Sequence, residues 1–186
     1  MSQGYFHRLN ELTQSRFWVN NPTPAQAQLA VGAGAVACTT NPTYGWKQLT
    51  NPKTADEVLG FVDAAIAEST DDHEAADLVQ QKCVARILPY FEQIHRESRG
   101  RLGFVSIQGN PLKDEDSQHI ADEARRYRRL GANVIAKIPV TRAGLDAIDT
   151  LIREDVPVIA TEVMSLAQAI TTAERYDRAS TEAGVR

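Results

Sequence analysis

Lys137 sits in NVIAKIPV (133–140), a short apolar run with the character of a strand covered on both faces, bounded by Gly131 and Pro139. No acid accompanies it in sequence. A lysine so placed either snorkels or reacts. Polar residues recur at the ends of the other apolar runs: Asn20; Thr39, Thr40 and Asn41; Gln108 and Asn110; Thr161 and Glu162. One amine among amides and hydroxyls is kept neutral by desolvation, and the neutral amine is the form that attacks a carbonyl. The chemistry implied is a Schiff base. The same residues equally allow a structural lysine, hydrogen-bonded to those groups and catalysing nothing.

The elements that must position these residues alternate between two periodicities. RFWVN (16–20), AVACTT (35–40), GFVSIQ (103–108), the run from Val134 to Lys137, and PVIATEV (157–163) read as strands. Between them lie helical patterns. PAQAQLAVG opens on a proline, and TADEVLGFVDAAIAES has capping-box spacing from Thr54 to Glu57, with Val58, Leu59, Val62 and Ile66 on one face. A helix is expected from Glu74 to Ser98, kinked or split at Pro89, with Val84, Ile87, Leu88, Phe91 and Ile94 as its stripe. Further helices are expected from Asp114 to Leu130, from Thr141 to Glu154, and after Ser165 as N-cap. Alternating strands and helices imply a parallel sheet, doubly wound or a (β/α)₈ barrel. The glycines of GAGAVA (32–37) precede a strand rather than follow one, which argues against a dinucleotide fingerprint.

The composition is globular: 186 residues, 42% hydrophobic, 24% charged, with a formal net charge of -4. One domain, 1–186, is expected. The acidic balance argues against a phosphate-backbone binder, and RRYRR (125–129), flanked by DED and DE, reads as a solvated helix face. Cys38 and Cys83 stand far apart and the histidines are scattered; Glu92 and His95 have i, i+3 spacing but form a single pair, so no metal site is expected. With no signal-peptide pattern and no apolar run of membrane-spanning length, the expectation is a cytoplasmic protein acting on a small molecule, with no nucleic acid or membrane partner. A homo-oligomer is compatible with this.

TTNPT (39–43), VSIQ (105–108), NVIAKIP (133–139) and ATEVMSLAQA (160–169) together resemble the successive strand-end motifs of the transaldolases, in order from about residue 16 to residue 176. The resemblance implies a (β/α)₈ TIM barrel and a class I, Schiff-base transferase that moves a dihydroxyacetone unit between sugar phosphates. Lys137 takes the Schiff-base role, Asn41 the contact with the dihydroxyacetone unit, and Thr161 the holding of a catalytic water, with Thr40 and Ser165 as further substrate-binding candidates. No metal or cofactor is implied, because the protonated imine is the electron sink.

Two positions depart from the family pattern. RFWVNN puts Asn20 where the first strand carries an aspartate that moves the C4 hydroxyl proton, and an amide cannot act as a general base. VSIQ supplies Gln108 in place of a glutamate, as in the fructose-6-phosphate aldolase branch, which releases dihydroxyacetone. A catalytically silent binding or scaffold homologue is the rival from another class. If Asn20 is not simply a lost base, Glu162 or a group on further strands has to move the proton. About five strands are legible where a barrel has eight, so the expectation is a barrel truncated at its C-terminal end.

Overall fold

Short polar side chains set most helix starts in this chain. In the computed structural model, which describes residues 4–185, Thr23 Oγ1 accepts the Gln26 amide while Gln26 Oε1 accepts the Thr23 amide, a reciprocal capping box that starts α2 (Pro24–Gly32). The elements before it are α1 (Tyr5–Leu12) and β1 (Trp18–Asn20). After it come β2 (Ala37–Thr39), α3 (Tyr44–Leu49), α4 (Ala55–Glu68), α5 (Asp72–Ala85), α6 (Leu88–Glu97) and β3 (Val105–Gln108). A 3-10 turn (Pro111–Lys113) then leads to α7 (Ser117–Arg128), β4 (Val134–Pro139), α8 (Arg142–Arg153), β5 (Val158–Thr161) and α9 (Leu166–Ala183). Asp71, Asp116, Thr141 and Ser165 each accept a first-turn amide at the starts of α5, α7, α8 and α9.

The strands are hydrogen-bonded in chain order, β1-β2-β3-β4-β5. That order separates the two topologies left open by the sequence. A doubly wound sheet reverses its order at a switch point, whereas a barrel adds each new strand beside the last. The fold class is α/β with the parallel strand order of a (β/α) barrel, carried through five strands.

The chain divides into two compact units, one running through Ile107 and including Gly131–Val134, the other formed by Gln108–Leu130 and Ile135 onward. In the first, Trp18, Val19 and Asn20 pair with Ala37, Cys38 and Thr39, and Cys38 pairs with Val105, all parallel. Its core includes Tyr44, Val58, Val84, Ile87, Phe91, Val105 and Ile107, none more than 1% exposed. Asn133 closes this core from a buried position: its Nδ2 donates to Leu88 O (3.0 Å) and Gly103 O (3.2 Å), and its carbonyl accepts from Val105 N (2.8 Å). Cys38 and Cys83 are buried free thiols, and desolvation pushes them up to about 12 and about 11.

In the second unit Ala136, Lys137, Ile138 and Pro139 pair with Val158, Ile159, Ala160 and Thr161. Ile120, Ala124, Ile138, Ala147, Ile148, Leu151 and Ile152 form its apolar core. Each leucine or isoleucine among them, removed from water, contributes on the order of 1.5–3 kcal/mol. The basic run does not form an even solvated face: Tyr127 is buried, and Arg125 donates two hydrogen bonds to Glu154 and one to Asp122.

Three sequence expectations need correction. Thr54 and Glu57 do not form a capping box: Thr54 Oγ1 donates to Gln48 O at 2.5 Å, and Glu57 pairs with Arg86 at 2.6 Å. Of the stripe expected on α4, only Val58 is buried, while Leu59 and Ile66 are exposed. The split allowed for at Pro89 is found: α5 and α6 are separate helices, because Pro89 lacks the N–H an interior turn requires and fits the first turn of α6 instead. The helix expected from Asp114 starts at Ser117, since Asp116 rather than Asp114 is the N-cap.

Candidate functional site

β4 ends the sequence VIAKIP with every residue buried, so its lysine is lifted out of water by the strand that carries it. Lys137 is 9% exposed. Burial lowers its pKa from the ordinary 10.5, and the negative charge of Glu162 acts in the opposite direction. The sequence offered no acid beside Lys137. The fold supplies one.

The local chain path explains how. Lys137 pairs with Ile159 across the parallel ladder, so Thr161, two residues further along β5, points to the same face as Lys137. Regular alternation would send Glu162 to the opposite face. Glu162 instead has φ 61°, a left-handed conformation uncommon for a residue with a side chain, which ends the strand and breaks its alternation. Its Oε1 accepts a 3.1 Å hydrogen bond from Gln108 Nε2. Val105 N donates to Asn133 O, and counting along β3 and β4 from that bond brings Gln108 level with Lys137. Asp114 completes the group: burial and the neighbouring Glu162 charge both raise its carboxyl above the ordinary range, and its carbonyl accepts from Thr141 Oγ1 at 2.9 Å, at the start of α8.

Ser165 is the N-cap of α9; its hydroxyl accepts from Gln168 N (3.2 Å) and donates to Gln168 Oε1 (3.3 Å). Gln168 Nε2 in turn donates to Val140 O, tying the start of α9 to the end of β4. Thr161 and Glu162 are thereby followed by an anchored helix rather than a free loop.

The first unit holds its own strand-end cluster. Asn20 Oδ1 accepts from Thr39 Oγ1 (2.9 Å) and from Asn41 Nδ2 (3.3 Å), while Asn41 N donates to Asn21 Oδ1 (3.0 Å). Asn21 has φ 49°, so the chain turns sharply after β1 and presents that oxygen. Thr40 is fully buried, and its hydroxyl donates to Ser106 O at 2.7 Å, which locks the end of β2 to β3. Asn20, Thr39 and Asn41 thus form one network, with Thr40 serving the sheet beneath it.

Among the described residues no group of three His, Cys, Asp or Glu side chains stands together in a metal-holding arrangement. His95 of the Glu92/His95 pair is engaged otherwise: its Nδ1 lies 2.9 Å from Leu102 O and its ring meets Phe104 edge-on. None of the described helices is long and apolar enough to cross a membrane. Two apolar clefts of about 370 Å³ are lined by none of these polar strand-end residues, one by Trp46, Ile66 and Val79 among others, the other by Val158, Ala160 and Tyr176.

A parallel α/β sheet whose strands follow one another in barrel order places the chain in the class of (β/α)-barrel folds. Residues 25–183 match the Transaldolase/Fructose-6-phosphate aldolase family, and the chain belongs to that family. A transaldolase of Thiobacillus denitrificans is 31% identical over 159 residues, covering 83% of this chain and 43% of that protein. Transaldolase 2 of a Nostoc species is 28% identical over 152 residues, covering 81% and 39%. A transaldolase of Neisseria meningitidis is 37% identical over a shorter stretch of 86 residues, covering 45% and 24%. The chain spans less than half the length of each of these curated relatives.

Proposed function

We propose that the protein transfers a dihydroxyacetone unit between sugar phosphates through a Schiff base at Lys137. The observation that carries this reading is the amine itself: a lysine on a fully buried strand, with its pKa lowered by burial, in a chain of the transaldolase/aldolase family. The neutral amine attacks the ketose carbonyl, water leaves, and the resulting iminium accepts the electron pair of the C3–C4 bond as an aldehyde departs. The enamine left on Lys137 then adds to an acceptor aldehyde. In this reading Asn41 contacts the dihydroxyacetone unit and Thr161 holds the water of imine formation and hydrolysis. Thr40 and Ser165 are the further substrate-binding candidates, Thr40 at the end of β2 and Ser165 as the N-cap of α9.

Gln108 favours a second reading, an aldolase that releases the three-carbon unit. It is an amide where the transferring enzymes carry a glutamate, and its Nε2 is committed to Glu162. Reductive trapping tests the common chemistry. Borohydride added with dihydroxyacetone or fructose 6-phosphate should leave a reduced adduct on Lys137; a label on Lys47, Lys53, Lys82 or Lys113, or on none, removes both readings and leaves a binding homologue. Product analysis with and without an acceptor aldehyde separates transfer from release.

A further inference from the structure

A Schiff-base cleavage needs a group that takes the C4 hydroxyl proton as the C3–C4 bond breaks. Asn20 cannot supply it, because its side chain is an amide whose oxygen already accepts two hydrogen bonds. We propose that Glu162, held by Gln108 at 3.1 Å and turned out of the strand alternation at φ 61°, is the proton carrier of the Lys137 site, with Asp114 as its neighbouring carboxyl. This rests on the Schiff-base reading of Lys137.

Three features make Glu162 suited to the task. It is exposed, so a substrate can reach it. Only one of its oxygens takes the Gln108 bond, and a carboxylate has lone pairs to spare for a substrate hydroxyl. Gln108, which holds it, stands level with Lys137 across β3 and β4, so the carboxylate lies at the strand end that carries the amine.

The proton balance closes. The amine of Lys137 and the ketone carbonyl join to a carbinolamine, which takes a proton from solvent and loses water to give the iminium; the final hydrolysis returns that proton. The Glu162 carboxylate takes the C4 hydroxyl proton while the C3–C4 pair flows to the iminium nitrogen, giving aldehyde, enamine and a protonated Glu162. In release, that proton goes to C3 and water hydrolyses the iminium back to the free amine. In transfer, it goes to the new hydroxyl formed on the acceptor.

Dihydroxyacetone in deuterated water isolates this step, because reversible enamine formation exchanges its carbon-bound protons through the same carrier. Glu162→Gln, tested in the full chain, should slow exchange by about 10²-fold or more. Borohydride trapping at Lys137 should stay within about twofold, and formate should restore part of the exchange in Glu162→Ala. Exchange within about threefold of the parent protein, with trapping intact, overturns the assignment to Glu162 alone. Absence of trapping in the parent protein overturns the Lys137 reading and this inference with it.

Discussion

Gln108 Nε2 donates a 3.1 Å hydrogen bond to Glu162 Oε1, joining the ends of β3 and β5 through residues 54 apart in sequence. An amide at 108 can donate to a carboxylate, whereas a glutamate there would face a like charge. The residue that departs from the transaldolase pattern is therefore matched to the acid that the fold brings against it.

Gln108→Glu tests that match. Two carboxylates about 3 Å apart cannot both ionise easily, so one of them should titrate well above the ordinary carboxyl range. The acidic limb of the pH profile for deuterium exchange into dihydroxyacetone should move up by about one pH unit or more. An unchanged limb would show that Glu162 does not set it.

Lys137→Met should abolish trapping and stabilise the protein wherever the buried amine would be charged. The folded-state pKa of Lys137 is lowered below 10.5 by burial, so between that lowered value and 10.5 the unfolded chain binds more protons than the folded one, and stability conferred at this position rises with pH. Below the lowered value the full penalty of burying the charge is present. Thermal melts should show the largest gain of Lys137→Met on the acid side of that lowered value, shrinking as pH approaches 10.5. A gain that grows with rising pH would contradict the desolvation account.

Asn20→Asp should fold normally, because both hydrogen bonds at this side chain use Asn20 Oδ1 as acceptor, and a carboxylate oxygen accepts equally well. If Glu162 carries the proton, cleavage of a ketose phosphate should change by less than about threefold. A rise of about 10²-fold in steady-state cleavage would instead identify Asn20 as a lost base.

Asn133→Ala should destabilise the first unit. Its buried amide satisfies two carbonyls, Leu88 O and Gly103 O, and alanine leaves both without that donor. A loss of about 2–3 kcal/mol in urea unfolding is expected. A loss below about 0.5 kcal/mol would mean that other donors replace the amide.

The five strands and most of the helices were legible in the sequence, although neither α1 nor α3 was expected from it. Strand runs, the capping residue Ser165, and the break at Pro89 are local signals, written within a few residues of the structure they specify. Lys137 was legible for the same reason, since a charged residue in an apolar strand stands out without knowledge of its neighbours. What surrounds Lys137 was decided by the tertiary structure. Glu162 is reached only through the β4–β5 register and a left-handed backbone that overrides the two-residue alternation, and its partner Gln108 comes from another strand. The same limit explains α4, whose periodicity marked a stripe of four apolar residues although the fold buries only Val58 of them. Thr54 had the spacing of a cap, but Gln48 O offered its hydroxyl a nearer acceptor. Periodicity reports which side of an element is apolar, but contact between elements depends on how the chain closes, and that information is not local.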